Sequence, residues 1–182
     1  MKDYNIRAMD EADRLAIVDI FNYYIFNTWA AYSEEPVDFL WAERFRLESC
    51  GYPVYTMEST GGEIVGFGRL KPFRPGAKSF GRTAECAYFI LQEHTGRGLG
   101  TSLLERMKQD AVQLGIDCLI VHICSMNEAS LAFHREKGFQ ECGRLRRVGR
   151  KFGKDFDMVY MQMFLGPERD SATERQSDEP FQ

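Results

Sequence analysis

Residues Thr95-Gly96-Arg97-Gly98-Leu99-Gly100 place the tightest limit on what this chain can become. Three glycines in five positions follow the apolar run Cys86 to Leu91 and open a segment in which Leu99, Leu103, Leu104, Met107, Ala111 and Leu114 recur at helical spacing. Glycine loses more conformational freedom on folding than any other residue, so a plain turn has no need of three. A strand that feeds a glycine loop opening a helix leaves several backbone N–H groups unpaired and facing outward, a ready site for a pyrophosphate. Glu85, ten residues before Thr95, lies on the feeding strand and supplies a candidate general base. A phosphate cradle beside a base points to group transfer from a nucleotide-bearing donor. The other reading, a tight strand-to-helix turn without a ligand, stays open at this stage.

Rival glycine motifs fail on their mechanics. A P-loop needs a lysine directly after its last glycine, and none follows Gly98 or Gly100. A dinucleotide fingerprint needs GxGxxG and an acid ending the next strand, whereas the spacing here is GxGxG and Asp117 would begin that strand.

The rest of the chain predicts an α/β domain over residues 1–166. A strand at 4–8 leads into a helix from about Asp13 to Phe26, with Asp10 and Asp13 as cap and first-turn acids, and a second helix spans 37–49. Residues 54–58 and 63–70 alternate around Gly61-Gly62 as a hairpin, and the strand 83–91 enters the glycine loop. A helix at 98–114, an apolar strand at 118–123, an Asn127-capped helix at 128–137 and strands at 139–148 and 157–164 around a loop at 149–153 complete a mixed sheet with helices on both faces. The tail 167–182 has almost no apolar residue and is expected to be disordered.

At 182 residues and net charge −4, with pI about 5.5, attraction to nucleic acid or an anionic membrane is not expected. No apolar run nears the roughly 20 residues needed to span a bilayer, and the first residues lack a signal-peptide core, so a cytoplasmic location is expected. The five cysteines form no CxxC pair and read as reduced thiols, and His122 with Cys124 does not make a metal site, so no metal is assigned.

Thr95 to Gly100 resembles the acyl-CoA pyrophosphate loop of the GCN5-related N-acetyltransferases (GNAT superfamily), with Thr95 where that family has Arg or Gln. Asn127-Glu128-Ala129-Ser130 with Lys137-Gly138-Phe139 resembles the family's later Asn-x-x-Ala/Ser…Gly-Phe element. Within the superfamily the chain is most similar to phosphinothricin N-acetyltransferases, through Ile6-Arg7-Ala8, Asn27-Thr28, Gly51-Tyr52-Pro53-Val54, Pro72-Phe73-Arg74-Pro75, Thr83-Ala84-Glu85 and Lys151-Phe152-Gly153-Lys154. The resemblance implies the GNAT fold, about seven strands flanked by about four helices, acetyl-CoA as co-substrate, and a homodimer. It implies that Glu85 deprotonates the amine of methionine sulfoximine, methionine sulfone, phosphinothricin or a related small acceptor. It also implies that Gly96, Arg97, Gly98, Leu99, Gly100, Thr95 and Thr101 hold the pyrophosphate and that Asn127 and Ser130 hold the pantetheine arm. Backbone N–H groups from Phe89, Ile90 and Leu91 would polarise the thioester carbonyl.

An ammonium cannot attack a thioester until a base takes its proton. Burial among Ala84, Cys86 and Ala87 is expected to raise the pKa of Glu85, unless Glu85 is a surface residue of an edge strand paired to Arg82. His134 stands where the family places a proton donor for the thiolate, or it is a satisfied core histidine. Arg74, Lys78, Phe80 and Arg82, in or beside the loop before Glu85, are candidate acceptor contacts, and Phe26, Trp29 and Tyr32 either roof the acceptor pocket or pack the first loop. The basic run Arg144, Arg146, Arg147, Arg150, Lys151 and Lys154 reads mostly as a solvated hairpin. Direct acetyl transfer to a small amine is the favoured function. Acetylation of a protein or peptide amine, and a non-catalytic acyl-CoA-binding module, are the two rivals.

Overall fold

The periodicities resolve into β1 (Tyr4–Ala8), α1 (Arg14–Asn27), α2 (Phe39–Leu47), β2 (Val54–Ser59), β3 (Ile64–Pro72), β4 (Thr83–Ile90), α3 (Leu99–Gln113), β5 (Cys118–Cys124), α4 (Glu128–Glu136), β6 (Gln140–Lys151) and β7 (Lys154–Phe164). The computed structural model describes residues 4–166, and the polar tail expected at 167–182 lies outside the described residues. One seven-stranded sheet runs in the order β1-β2-β3-β4-β5-β7-β6, antiparallel throughout except for the parallel pair β4–β5.

The sheet separates two apolar cores. On one face Leu99, Leu103, Leu104, Met107 and Ala111 of α3 and Leu131 of α4 pack on Leu70, Ala84, Cys86, Leu119, Val121 and Ile123. On the other, Ile17, Val18 and Ile20 of α1 and Ala42 and Phe45 of α2 pack on Val54 and Phe67. Alternation along the strands therefore assigns every sheet residue to one side. The turn into α1 is tied to the sheet by Arg7, whose guanidinium forks onto buried Asp13 at 2.7 and 2.8 Å and also meets Glu58 at 2.7 Å. Asp13 also accepts the Asp10 N–H, so the expected cap acid serves as the anchor of α1 as well.

The β6–β7 hairpin is longer than its sequence suggests. The loop expected at 149–153 shrinks to Phe152-Gly153, both at positive φ, which is the two-residue hairpin turn whose twist suits antiparallel strands. Gly149 lies inside the ladder because the Phe156 ring occupies the space its Cβ would need, 2.2 Å from that position. Lys151 is a second correction. It is not solvated but buried, 1% exposed, and its ammonium donates to the carbonyls of Thr28 (2.8 Å) and Ala31 (2.7 Å) in the loop after α1.

Replacing Lys151 with Met leaves those two carbonyls without their donor in a buried setting. Loss of about 1–3 kcal/mol is expected in urea unfolding, whereas Lys154→Met on the exposed end of the same hairpin should change stability by under about 0.5 kcal/mol.

Candidate active site

β4 and β5 are paired only at Thr83↔Cys118, Ala84↔Leu119 and Glu85↔Ile120. Beyond Glu85 they diverge, β4 staying with β3 as far as Ile90 and β5 with β7 as far as Cys124. The divergence opens a fork in the middle of the sheet, and tyrosines serve its edges. The Tyr24 hydroxyl from α1 donates to the Ile90 carbonyl and lies 3.3 Å from the Ile90 N–H. The Tyr32 hydroxyl donates to the His122 carbonyl at 2.9 Å.

A cavity of about 480 Å³ occupies the fork and reaches both faces of the sheet. Lys71, Glu85, Ala87, Phe89, His122 and Tyr32 line it on the α1–α2 side; Tyr88, His134, Asn127 and Ser130 line it on the α3–α4 side. Around the former group the wall is aromatic, with Phe21 stacked on Trp41 at 4.1 Å between centroids.

Glu85 sits at the crotch of the fork on a central strand, and Arg82 is bound instead to Asp117, so the edge-strand alternative falls. The Glu85 carboxylate lies 2.8 Å from Lys71 Nζ and 3.5 Å from His122 Nε2. Burial pushes its pKa up, but His122 and Lys71 beside it outweigh burial and hold Glu85 below the usual carboxylate value. The expected upward shift is therefore reversed, because desolvation was legible from apolar neighbours in sequence while the two partners come from other strands.

His134 is buried, and its Nδ1 lies 2.7 Å from the Ser130 carbonyl, an acceptor only, so Nδ1 carries the proton. Nε2 then accepts from the Tyr88 hydroxyl at 2.9 Å. Burial lowers the His134 pKa and keeps the ring neutral. The one ring proton is spent on the backbone, and Tyr88 is the hydroxyl of the pair.

The glycine loop is exposed, with Gly96 at φ 72° and Gly98 at φ 82°, both in the left-handed region. Gly98 is the N-cap of α3 and supplies no side chain, so the first-turn N–H groups at Leu99, Gly100 and Thr101 have no capping side chain. Thr95 turns its hydroxyl back to the Gln92 carbonyl at 2.7 Å, and Arg97 donates to Tyr4 Oη at 3.1 Å. This geometry fits a bound pyrophosphate. Asn127 Oδ1 caps α4 by accepting the Ser130 N–H at 3.2 Å, which leaves the Asn127 amide N–H₂ to donate.

Of the N–H groups at Phe89, Ile90 and Leu91, that of Leu91 is committed to the Val65 carbonyl at 2.8 Å. Ile90 points the opposite way, into the fork, and alternation turns Tyr88 to the same side. Of the remaining expected contacts, Phe26 is exposed and Trp29 packs edge-on to Phe152 and Phe156. Arg74 stacks near Phe73 and Phe80 on the β3–β4 loop, which also carries Lys78. None of these, nor Arg82, lines the cavity. Cavity-lining side chains that sequence reasoning did not assign to a site include Lys71, His122, Trp41, Arg44 and Arg69; for Lys71 and His122 the i, i+2 alternation of β3 and β5 was the one available pointer.

Residues 16–139 match the acetyltransferase (GNAT) family. The chain belongs to that family. It is 32% identical over 169 residues to the L-methionine sulfoximine/L-methionine sulfone acetyltransferase of Pseudomonas aeruginosa, covering 91% of this chain and 96% of the relative. Among solved structures, the ribosomal-protein-alanine N-acetyltransferase of Brucella melitensis superposes with TM-score 0.81 at 34% identity, covering 88% of this chain and 99% of that one. A phosphinothricin acetyltransferase from Sinorhizobium meliloti, in complex with acetyl-CoA, gives TM-score 0.83 at 28% identity, covering 91% and 90%.

Because Glu85 has a depressed pKa in the folded protein, its ion pairs add stability above the ordinary carboxylate value near 4.5, and that contribution disappears as pH falls through the folded-state pKa. The stability gap between wild type and Glu85→Gln should thus be widest above about pH 5 and should close on further acidification, as read by denaturant titrations at stepped pH.

Proposed function

We propose that this protein transfers acetyl from acetyl-CoA to the primary amine of a small amino acid or close analogue, of the methionine sulfoximine or phosphinothricin type. The observation that carries the reading is the cavity through the fork, with an ionised Glu85 on one face and the glycine loop and Asn127 serving the other. Acetyl-CoA, when bound, supplies an activated thioester. Gly96 to Gly100 with Thr101 would hold its pyrophosphate, and Asn127 and Ser130 its pantetheine arm. The fork-facing N–H of Tyr88 is the donor for the thioester carbonyl, since that of Ile90 donates to Tyr24 Oη at 3.3 Å. Glu85 draws the ammonium to the crotch of the fork and initiates its deprotonation. His134 holds Tyr88 beside the departing sulfur. A thiol, with an ordinary pKa near 8.5, is a good leaving group as thiolate and has little need of a strong acid there.

Lys71, with Arg69 and Arg44 further along the same cavity, suits an acceptor that carries an acidic group; Arg74, Lys78, Phe80 and Arg82 lie outside the cavity's lining. In this reading the protein works in the cytoplasm as a homodimer, for which exposed Leu145 and Val148 on edge strand β6 are the contact surface. The Brucella neighbour, named for a ribosomal-protein alanine, favours a second reading, acetylation of a protein or peptide amine.

Thiol release from acetyl-CoA across methionine sulfoximine, methionine sulfone, phosphinothricin, free amino acids, polyamines and alanine-starting peptides separates the two. Strong turnover with the amino-acid analogues supports the first reading, and turnover confined to peptides replaces it with the second. Glu85→Gln should lower kcat/KM by about 10²-fold or more while acetyl-CoA affinity, measured by calorimetry, stays unchanged. Full activity of that variant removes Glu85 from the chemistry.

A further inference from the structure

We infer that His122 Nε2 is the atom on which the acceptor's ammonium proton comes to rest, with Glu85 steering that proton rather than keeping it. The inference deepens the proposed acetyl transfer and rests on it for the identity of the amine.

The geometry begins at Tyr32. Its hydroxyl hydrogen is committed to the His122 carbonyl at 2.9 Å, so its oxygen offers only a lone pair to His122 Nδ1, 3.3 Å away. That arrangement suits a proton on Nδ1. In the neutral ring Nε2 then carries a lone pair, and it faces Glu85 Oε2 across 3.5 Å. Two acceptors that face each other require a donor between them. A primary ammonium has three N–H bonds and meets this demand, one to the carboxylate and one to the imidazole.

The two acceptors differ as destinations for a proton. Lys71 Nζ stands 2.8 Å from the same carboxylate oxygen, a pairing that favours the ionised form of Glu85. Imidazole is the side chain whose charge changes between pH 5 and 8. The groups facing His122 are Glu85 on β4, Lys71 on β3, Tyr32 in the loop after α1 and Tyr160 on β7, whose ring centroid is 6.1 Å away, with Cys124 along its own strand. Glu85 is the anion among them and stabilises the imidazolium once it forms.

The step balances as follows. One N–H bond of the ammonium breaks and its proton forms the Nε2–H bond. The freed nitrogen pair forms the amide bond to the acetyl carbon, the carbon–sulfur bonding pair leaves with the sulfur, and the second N–H proton that the amide cannot keep passes from the nitrogen to that departing thiolate, giving the thiol. His122, about a third exposed, then returns the proton to water.

The test combines pH profiles of kcat/KM with the ring ¹⁵N resonances of the chain's three histidines, which report the nitrogen that carries the proton, in wild type, His122→Asn and His122→Gln. In wild type the neutral His122 ring should carry its proton on Nδ1. Both His122 variants should lose about 10²-fold in kcat/KM and lose the wild-type acid limb. A wild-type acid limb in folded His122→Asn or His122→Gln overturns the inference. So does a neutral His122 ring protonated on Nε2, which can be read even if no acceptor turns over; silence across the acceptor panel counts against the proposed transfer, not against the pairing.

Discussion

Everything chemical in this protein depends on the parting of two strands. β4 and β5 share three residue pairs and then separate at Glu85 and Ile120, in the middle of the sheet, where a continuous ladder would be the default. Unpaired strand edges are costly when buried, and the fold answers with hydroxyls. Tyr24 serves Ile90 and Tyr32 serves the carbonyl of His122. Those two tyrosines come from α1 and the loop after it, and that loop is itself held by Lys151 from the far end of the β6–β7 hairpin. A fork in the sheet, a roof over it and a lysine reaching across from another edge are thus one connected arrangement.

Electrostatics inside the fork follow from which side chains the strands bring together. Three strands converge on one spot to give Lys71, Glu85 and His122, so the carboxylate is ionised despite its burial. On the opposite face Tyr88 and His134 form a neutral pair with every ring nitrogen engaged. One face holds charge, and the other is built to stay uncharged.

The strands, helices and glycine loop were legible because each rests on a local signal. Alternation marked the 54–70 hairpin, the helical stripe from Leu99 to Leu114 marked α3, and the three glycines marked its N-terminus. Glu85 was legible too, from its place just upstream of the loop. What remained hidden depends on register between distant strands. Lys71 meets Glu85 only because β3 pairs with β4 at that residue, and His122 only because β5 lies two residues past Ile120 on the same side. The reversed pKa of Glu85 has the same origin. Lys151 misled for a related reason. In a run of basic residues a solvated role is the sound default, and only the fold reveals a pair of carbonyls at the end of its reach. Gly149 read as the first residue of a loop, whereas it lies in the ladder and makes room for the Phe156 ring.

The two-sided cavity has a consequence for how such an enzyme can change. In the proposed reading, side chains that meet the amine and side chains that meet the nucleotide donor hang from opposite faces of one rigid sheet and share few neighbours. Substitutions at sites without common partners combine nearly additively. On that reading, the cavity wall of Arg44, Arg69, Lys71 and Trp41 can be rewritten for a new amine while the donor half keeps its grip, so that a single scaffold can be retuned to new substrates one face at a time.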